Sequence, residues 1–313
     1  MKEVSENISI EQAKSALLRS GYLLEGRLEM VLRKSYWVES NIAYRDPTTG
    51  KSRELDLSAF HVSQTDAGLP FSVSVRLLIE CVNNPQPIAF MTKHQVGGPP
   101  YEALYVKKSG LPMTIEDEDN GNGNPDRSSL PEFIDMYDYH HYFRCPVASQ
   151  YCSFQKKKDK EAVWMALHGE DHHDSFGKLC DVVEYFIDRD YEGWTRDPDK
   201  GVAVTLYYPV LEVQGDLLDV RTSKKSLSLK KAKHLQYRLS RITDGKFTDY
   251  QIDVVTERYF PQFLNMIEWE QTQTARRMND KQEAIRKSAD RILKKLRGMG
   301  EPGVVRYIME SQE

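Results

Sequence analysis

The chain reads as an α/β protein: a mixed central sheet flanked by helices, with a helical C-terminal extension. Three observations lead there. Near the N-terminus, Leu24, Leu28, Val31 and Leu32 recur at helical spacing. Short apolar runs bounded by Gly, Pro, Asn and Asp then fill the middle of the chain, as strands do. From Pro261 onward apolar residues return to the helical period, ending in a stripe of Ile285, Ala289, Ile292, Leu293 and Leu296. The expected organisation is an α/β domain over 1–265, with a flexible loop near 115–130, and a helical extension over 266–313.

Taken in order, 8–19 is the first helix, with Ser5 or Asn7 as its cap and Gly21 as its stop. The Leu24 stripe forms the second. The first strand is 37–45, and Asp46-Pro47-Thr48-Thr49-Gly50 is a hairpin turn. Residues 73–82 are a strand apolar on both faces, which is how a covered central strand reads. A short parallel strand follows over 87–91. The helix running to Tyr185 has an apolar face of Phe176, Leu179, Val183 and Phe186, with Asp171 or Asp174 as cap. Strands are expected over 202–208, 210–213, 217–220, 234–240 and 250–255. Gln214-Gly215-Asp216 reads as a hairpin, and 224–233 as a basic loop.

Length and composition bound the rest. A chain of 313 residues with 40% hydrophobic and 29% charged residues can bury a core in one domain or two. Mean hydropathy is −0.60 and there is no long apolar run, so a membrane span is not expected. The start, Met-Lys-Glu-Val-Ser-Glu-Asn, lacks the basic and apolar segments of a signal peptide, which makes a cytoplasmic protein the expectation. Cys81, Cys145, Cys152 and Cys180 form no close pair, which argues against a zinc knuckle. A net charge of −4 leaves nucleic-acid binding to local patches.

Two strand-like stretches carry the chemistry. Glu54-Leu55-Asp56-Leu57-Ser58-Ala59 puts Leu55, Leu57 and Ala59 on one face and Asp56 on the other. Leu77-Leu78-Ile79-Glu80-Cys81-Val82 sets Glu80 among apolar residues. A carboxylate in such a strand is costly unless a cation or hydrogen bonds compensate it. Two of them at neighbouring strand ends make an oxygen-rich site for Mg²⁺.

The order of these pieces resembles the core of the PD-(D/E)XK, or restriction-endonuclease-like, nuclease superfamily. That core comprises an acidic helix, a hairpin ending in Asp, and a strand carrying Glu-x-Lys. Gly21-Tyr22-Leu23-Leu24-Glu25 fits the helix, with Glu25 at its acidic position. Asp56 matches the Asp and Glu80 the Glu, while Val82 stands where the family has Lys. The resemblance implies a restriction-endonuclease-like core and Mg²⁺- or Mn²⁺-dependent phosphodiester hydrolysis, with DNA as the expected substrate and prokaryotic genome defence as the expected setting. It implies Glu25, Asp56 and Glu80 as catalytic residues, and Asp56, Glu80 and the Cys81 carbonyl as metal ligands. Families of this kind replace the Lys or supply it from elsewhere; Lys51, Arg53 and Lys93 are the nearby cations. The alternative is a non-catalytic nuclease fold that binds nucleic acid or a protein.

Other stretches carry two readings each. Lys156, Lys157 and Lys158 follow Tyr151 and Phe154, and Asp138–Arg144 mixes His, Tyr, Phe and Arg. Basic residues among aromatics suit phosphate contacts and base stacking, or are rim and core residues. His168, His172 and His173 with Asp171 and Asp174 are either metal ligands or a helix start. A small-molecule enzyme built on that His group is a third possibility. The acidic, Gly/Asn-rich run from Ile115 to Asp126 lacks calcium-loop spacing. The basic C-terminal helix packs on its own domain, on a partner or a second copy, on a phosphate backbone or on an anionic surface.

Overall fold

Helix α1 (Ile10–Arg19) starts on a reciprocal cap. The Ser9 hydroxyl accepts the Gln12 N–H at 3.1 Å, and the Gln12 side chain accepts the Ser9 N–H at 2.9 Å. Ser9, not Ser5 or Asn7, is therefore the capping residue. The structure is a computed structural model and describes residues 7–19, 22–46, 49–63, 71–93, 106–110, 114–116, 127–156, 163–168, 170–196, 202–223, 226–243, 246–288 and 291. Helix α2 (Tyr22–Leu32) buries Leu24, Leu28 and Leu32.

The chain then builds an antiparallel meander of β1 (Trp37–Arg45), β2 (Ser52–Val62) and β3 (Phe71–Val82). The turn between β1 and β2 is held by the Thr49 N–H donating to Asp46 Oδ1 at 3.0 Å and by a positive φ at Gly50. After β3 come β4 (Ile88–Lys93), β5 (Lys107–Ser109), β6 (Thr114–Glu116), β7 (Arg127–Ser129), the short α3 (Leu130–Phe133), β8 (Val147–Lys156) and β9 (Trp164–His168). Helix α4 (Glu170–Arg196) crosses one sheet face and leads into β10 (Val202–Val213). β10 lies parallel to β3 along its whole length, from Val202 opposite Phe71 to Val213 opposite Val82. β11 (Leu217–Thr222), β12 (Leu227–Ala232), β13 (His234–Thr243), β14 (Lys246–Thr256) and α5 (Phe260–Asp280) complete the described elements.

The result is one large mixed sheet of order β1-β2-β3-β10-β14-β13-β8-β4-β11-β12, with β5 on β10 and β9 on β8. Helices flank it on both faces. One core layer joins α2 and α5 to Leu57, Ala59, Leu77, Ile79, Tyr208 and Val210. The other joins α4, through Phe176, Leu179, Val183 and Phe186, to Leu78, Tyr207, Leu211 and Ile252. Burial on both faces explains the unbroken apolar runs of β3 and β10.

Several expectations change in three dimensions. The 214–216 turn is not a hairpin. β11 leaves β10 to pair parallel with β4 and antiparallel with β12. A side chain at Gly215 would drive its Cβ into the Asn84 carbonyl oxygen, so glycine lets the turn after β10 press against the chain leaving β3. Much of the expected basic loop is strand β12. The expected flexible loop near 115–130 is bracketed by the paired β6 and β7, with Ile115 and Leu130 buried; 117–126 lie outside the described residues. Residue 265 falls inside α5, which buries Phe263, Ile267, Glu270, Thr274 and Met278 against the sheet layer. Among the described residues, no helix is long and apolar enough to cross a membrane.

Candidate functional site

Asp56 and Glu80 meet because β2 pairs with β3. The ladder runs from Val62 opposite Ser74 to Leu57 opposite Ile79, and one further step sets Asp56 opposite Glu80. Opposed residues leave a sheet on the same side. For Glu80 that side is the α4 layer, shared with Leu78. Alternation along β2 breaks at Asp56: Leu57 and Ala59 enter the α2/α5 layer, but Leu55 enters the α4 layer. The one-face reading of these three residues is corrected accordingly. Continuing the β1–β2 register places Asn41, with a φ of 52°, across from Asp56. Asn tolerates this left-handed conformation, and the irregularity lies where the strand changes face.

The cation that the sequence left unassigned comes from α4. Lys178 Nζ donates to Glu80 Oε2 at 2.6 Å, across 98 residues of chain. Lys51, Arg53 and Lys93 do not take this place: Arg53 pairs with Asp46 at 2.7 Å, and the other two are exposed. Val82, two residues beyond Glu80, packs with the α4 core. The Cys81 N–H donates to Asp56 Oδ2 at 2.7 Å, so the main chain of Cys81 lies against Asp56. The Cys81 thiol belongs to the opposite layer.

Charge at the site is not balanced. Glu80 Oε1 is buried with no hydrogen-bond partner. Burial and the neighbouring Asp56 raise the Glu80 carboxyl to about 7, although Lys178 opposes the shift. Burial likewise raises Asp56, against the Cys81 N–H and Lys178. Glu25, in the first turn of α2, is raised by burial and then by Asp56. It feels Asp56 and Lys178 electrostatically, but Glu25, Asp56 and Glu80 do not form a group whose ligand atoms all lie within 4.8 Å of one another. Its place in the first turn is also one that the helix dipole favours for any carboxylate. The site therefore holds carboxylate oxygens with one ammonium, and a further positive charge is favoured there.

A second carboxylate cluster lies in the α2/α5 layer. His141 Nδ1 donates to Glu270 Oε2 at 2.8 Å, and its Nε2 faces Asp253 Oδ1 and Oδ2 at 3.0 and 3.2 Å. His234 Nε2 reaches Asp253 Oδ1 at 2.8 Å. The His141 N–H adds a bond to Glu270 Oε1 at 2.6 Å. Burial disfavours a charged His141, but Glu270 and Asp253 on its two nitrogens overcome this and hold its pKa up at about 10. His140 stays neutral, because burial lowers it to about 4. Its Nδ1 accepts the Tyr142 N–H, and its Nε2 meets the Tyr208 hydroxyl at 3.1 Å. The 138–144 stretch, read from sequence as a basic-aromatic surface or as core, is core at His140, His141 and Tyr142.

Lys156 ends β8 in an exposed position, while Lys157 and Lys158 lie outside the described residues. So do the side chains of His168, Asp171 and His172; His173 and Asp174 are exposed, inside α4 rather than at its cap. Nothing matches this chain among protein-family models, curated proteins or solved structures.

Sequence reasoning missed Lys178 and the His141 cluster. A faint signal existed for the first. Lys178 stands one helical turn before Val182 and beside Leu179 and Cys180, so it interrupts the buried side of α4. For the second, His141, His234, Asp253 and Glu270 are too far apart in sequence to form a motif.

Proposed function

We propose that this protein is a metal-dependent phosphodiesterase acting on nucleic acid, with a restriction-endonuclease-like core. The observation that carries the reading is Lys178 on Glu80. The motif resemblance lacked one chemical part, an ammonium beside the two acidic strand residues, and α4 supplies it. The order α2, hairpin β1–β2, strand β3, crossover helix α4, parallel β10 supports the same reading. DNA is the proposed substrate.

The residues fit a hard divalent ion. Asp56 and Glu80 offer oxygens, one of them buried and unpartnered, in a site where negative charge is uncompensated. Asp56, Glu80 and the Cys81 carbonyl would hold Mg²⁺ or Mn²⁺, which when bound polarises a phosphoryl oxygen and lowers the pKa of water. Lys178 provides fixed positive charge where the pentavalent phosphate accumulates negative charge. Its hydrogen bond to Glu80 also holds the ammonium in place without reorganisation. Glu25, within electrostatic reach of Asp56 and Lys178, could bind a second ion or orient the water. The Cys81 N–H holds Asp56 by its Oδ2.

The test is cleavage of plasmid, linear single-stranded DNA and RNA with Mg²⁺ or Mn²⁺. Asp56→Ala and Glu80→Ala should each abolish cleavage while circular dichroism stays unchanged. Cleavage that survives Asp56→Ala places the chemistry elsewhere. Binding without cleavage by the wild-type protein, across metals and substrates, selects the non-catalytic binding module instead.

A further inference from the structure

We propose that His141, His234 and Asp253 form a closed structural zinc site, separate from the Asp56/Glu80 site. Two imidazole Nε2 atoms converge on one carboxylate, and the ligand atoms of the three residues lie within 4.8 Å of one another. Asp253 presents both oxygens to His141, so its carboxylate can fill one corner of a zinc site through either oxygen, beside the two imidazole nitrogens. Zinc bonds of about 2.0–2.1 Å in a tetrahedron set ligand atoms about 3.3 Å apart. The observed separations of 2.8, 3.0 and 3.2 Å need only a few tenths of an ångström of expansion.

Donor chemistry selects the ion. Imidazole nitrogens with a carboxylate suit Zn²⁺, whereas Mg²⁺ takes oxygen ligands and keeps its waters. The side chains are no more than 7% exposed, so the ion would be shut off from bulk solvent. Glu270 supplies the outer partner. It accepts from His141 Nδ1, which commits Nε2 to the ion and strengthens it as a donor. Tyr259 stacks on His234 and Phe263 meets it edge-on, so rings flank the site.

His141 and His234 bring their ring centres within 5.6 Å of each other beside the shared carboxylate. The ion would tie together the turn at His141, the start of β13, β14 and, through Glu270, α5.

The experiment measures metal content and Co²⁺ absorption on the full chain carrying Asp56→Ala and Glu80→Ala, so that the other site cannot contribute. One zinc per chain, or one Co²⁺ with tetrahedral absorption displaced by Zn²⁺, is the expected result. Adding His234→Ala should abolish binding. Glu270→Gln should leave the site occupied but weaken zinc by about 10–100-fold, as loss of an outer partner does. This variant keeps the proposal testable if His234→Ala fails to fold. A folded protein that takes up neither ion in excess, or zinc affinity unchanged in Glu270→Gln, overturns the proposal. In the first case protons hold the cluster. Neither result bears on whether the Asp56/Glu80 site cleaves nucleic acid.

Discussion

On β2 and β3, Glu80 holds the Lys178 ammonium, Asp56 feels its charge, Glu25 adds a third carboxylate nearby, and one buried oxygen has no partner. In the α2/α5 layer, every carboxylate oxygen of Asp253 and Glu270 is hydrogen-bonded to histidine. The first region is all oxygen and partly open; the second mixes nitrogen with oxygen and is closed. Both bury carboxylates in one fold, yet electrostatics moves them in opposite directions. Burial and Asp56 push Glu80 up, while the histidines pull Asp253 and Glu270 down despite their burial. Unresolved like charge marks a place suited to an exchangeable hard cation, and matched charge marks a place that holds the fold together.

The largest expected effect breaks the closed cluster. Asp253→Ala leaves buried imidazole charge or an incomplete metal site, and should destabilise by about 3–5 kcal/mol in urea unfolding. Asp56→Ala relieves repulsion and should change stability by less than about 1 kcal/mol. Equal losses in the two variants would erase the contrast.

Lys178→Ala comes next, and it sharpens the open side. If Lys178 stabilises developing charge, cleavage should slow by about 10²–10³-fold with little change in fold. Lys178→Arg should retain part of the rate, because charge is kept while geometry shifts. A full rate in Lys178→Ala would return the resemblance to its missing-lysine form.

The third prediction concerns pH. Glu80 titrates near 7 in the folded protein and near 4.5 as an ordinary carboxyl, so between these values the folded state binds more protons than the unfolded state. Stability should therefore be greatest below pH 4.5 from this group and fall as pH rises to 7, by up to about 3 kcal/mol. Glu80→Gln, compared with wild type in magnesium-free buffer at pH 5 and pH 8, should gain stability at the higher pH alone. Glu212 behaves alike on the other face. It is fully buried with neither oxygen partnered, and burial raises it to about 9. Glu212→Gln should extend the same gain to still higher pH, and a pH-independent difference would refute both assignments.

The smallest effect tests surface contacts. If Lys156, Lys157 and Lys158 touch phosphates, replacing each should reduce the salt slope of nucleic-acid binding by about one. An unchanged slope would move the substrate path elsewhere on the molecule.

What the sequence determined by itself was local. Periods of 3.6 and 2 placed α2 and β1 to β3, and an acidic residue in each of two apolar strands marked Asp56 and Glu80. A short turn forces β1 and β2 to pair, which made that part of the site legible before any coordinates. The face change at Asp56 was not, because it depends on backbone geometry across from Asn41. Only the tertiary structure decided which cation serves Glu80. Lys178 arrives by way of a crossover helix, and its reach depends on β10 lying beside β3. The His141 cluster is more remote still: its members sit on a turn, two strands and a helix, 19 to 129 residues apart in their pairings. Sequence patterning records which face of each element is apolar. It does not record which buried polar groups from distant elements will meet, since that follows from strand order and from the need to pair every charge taken out of water.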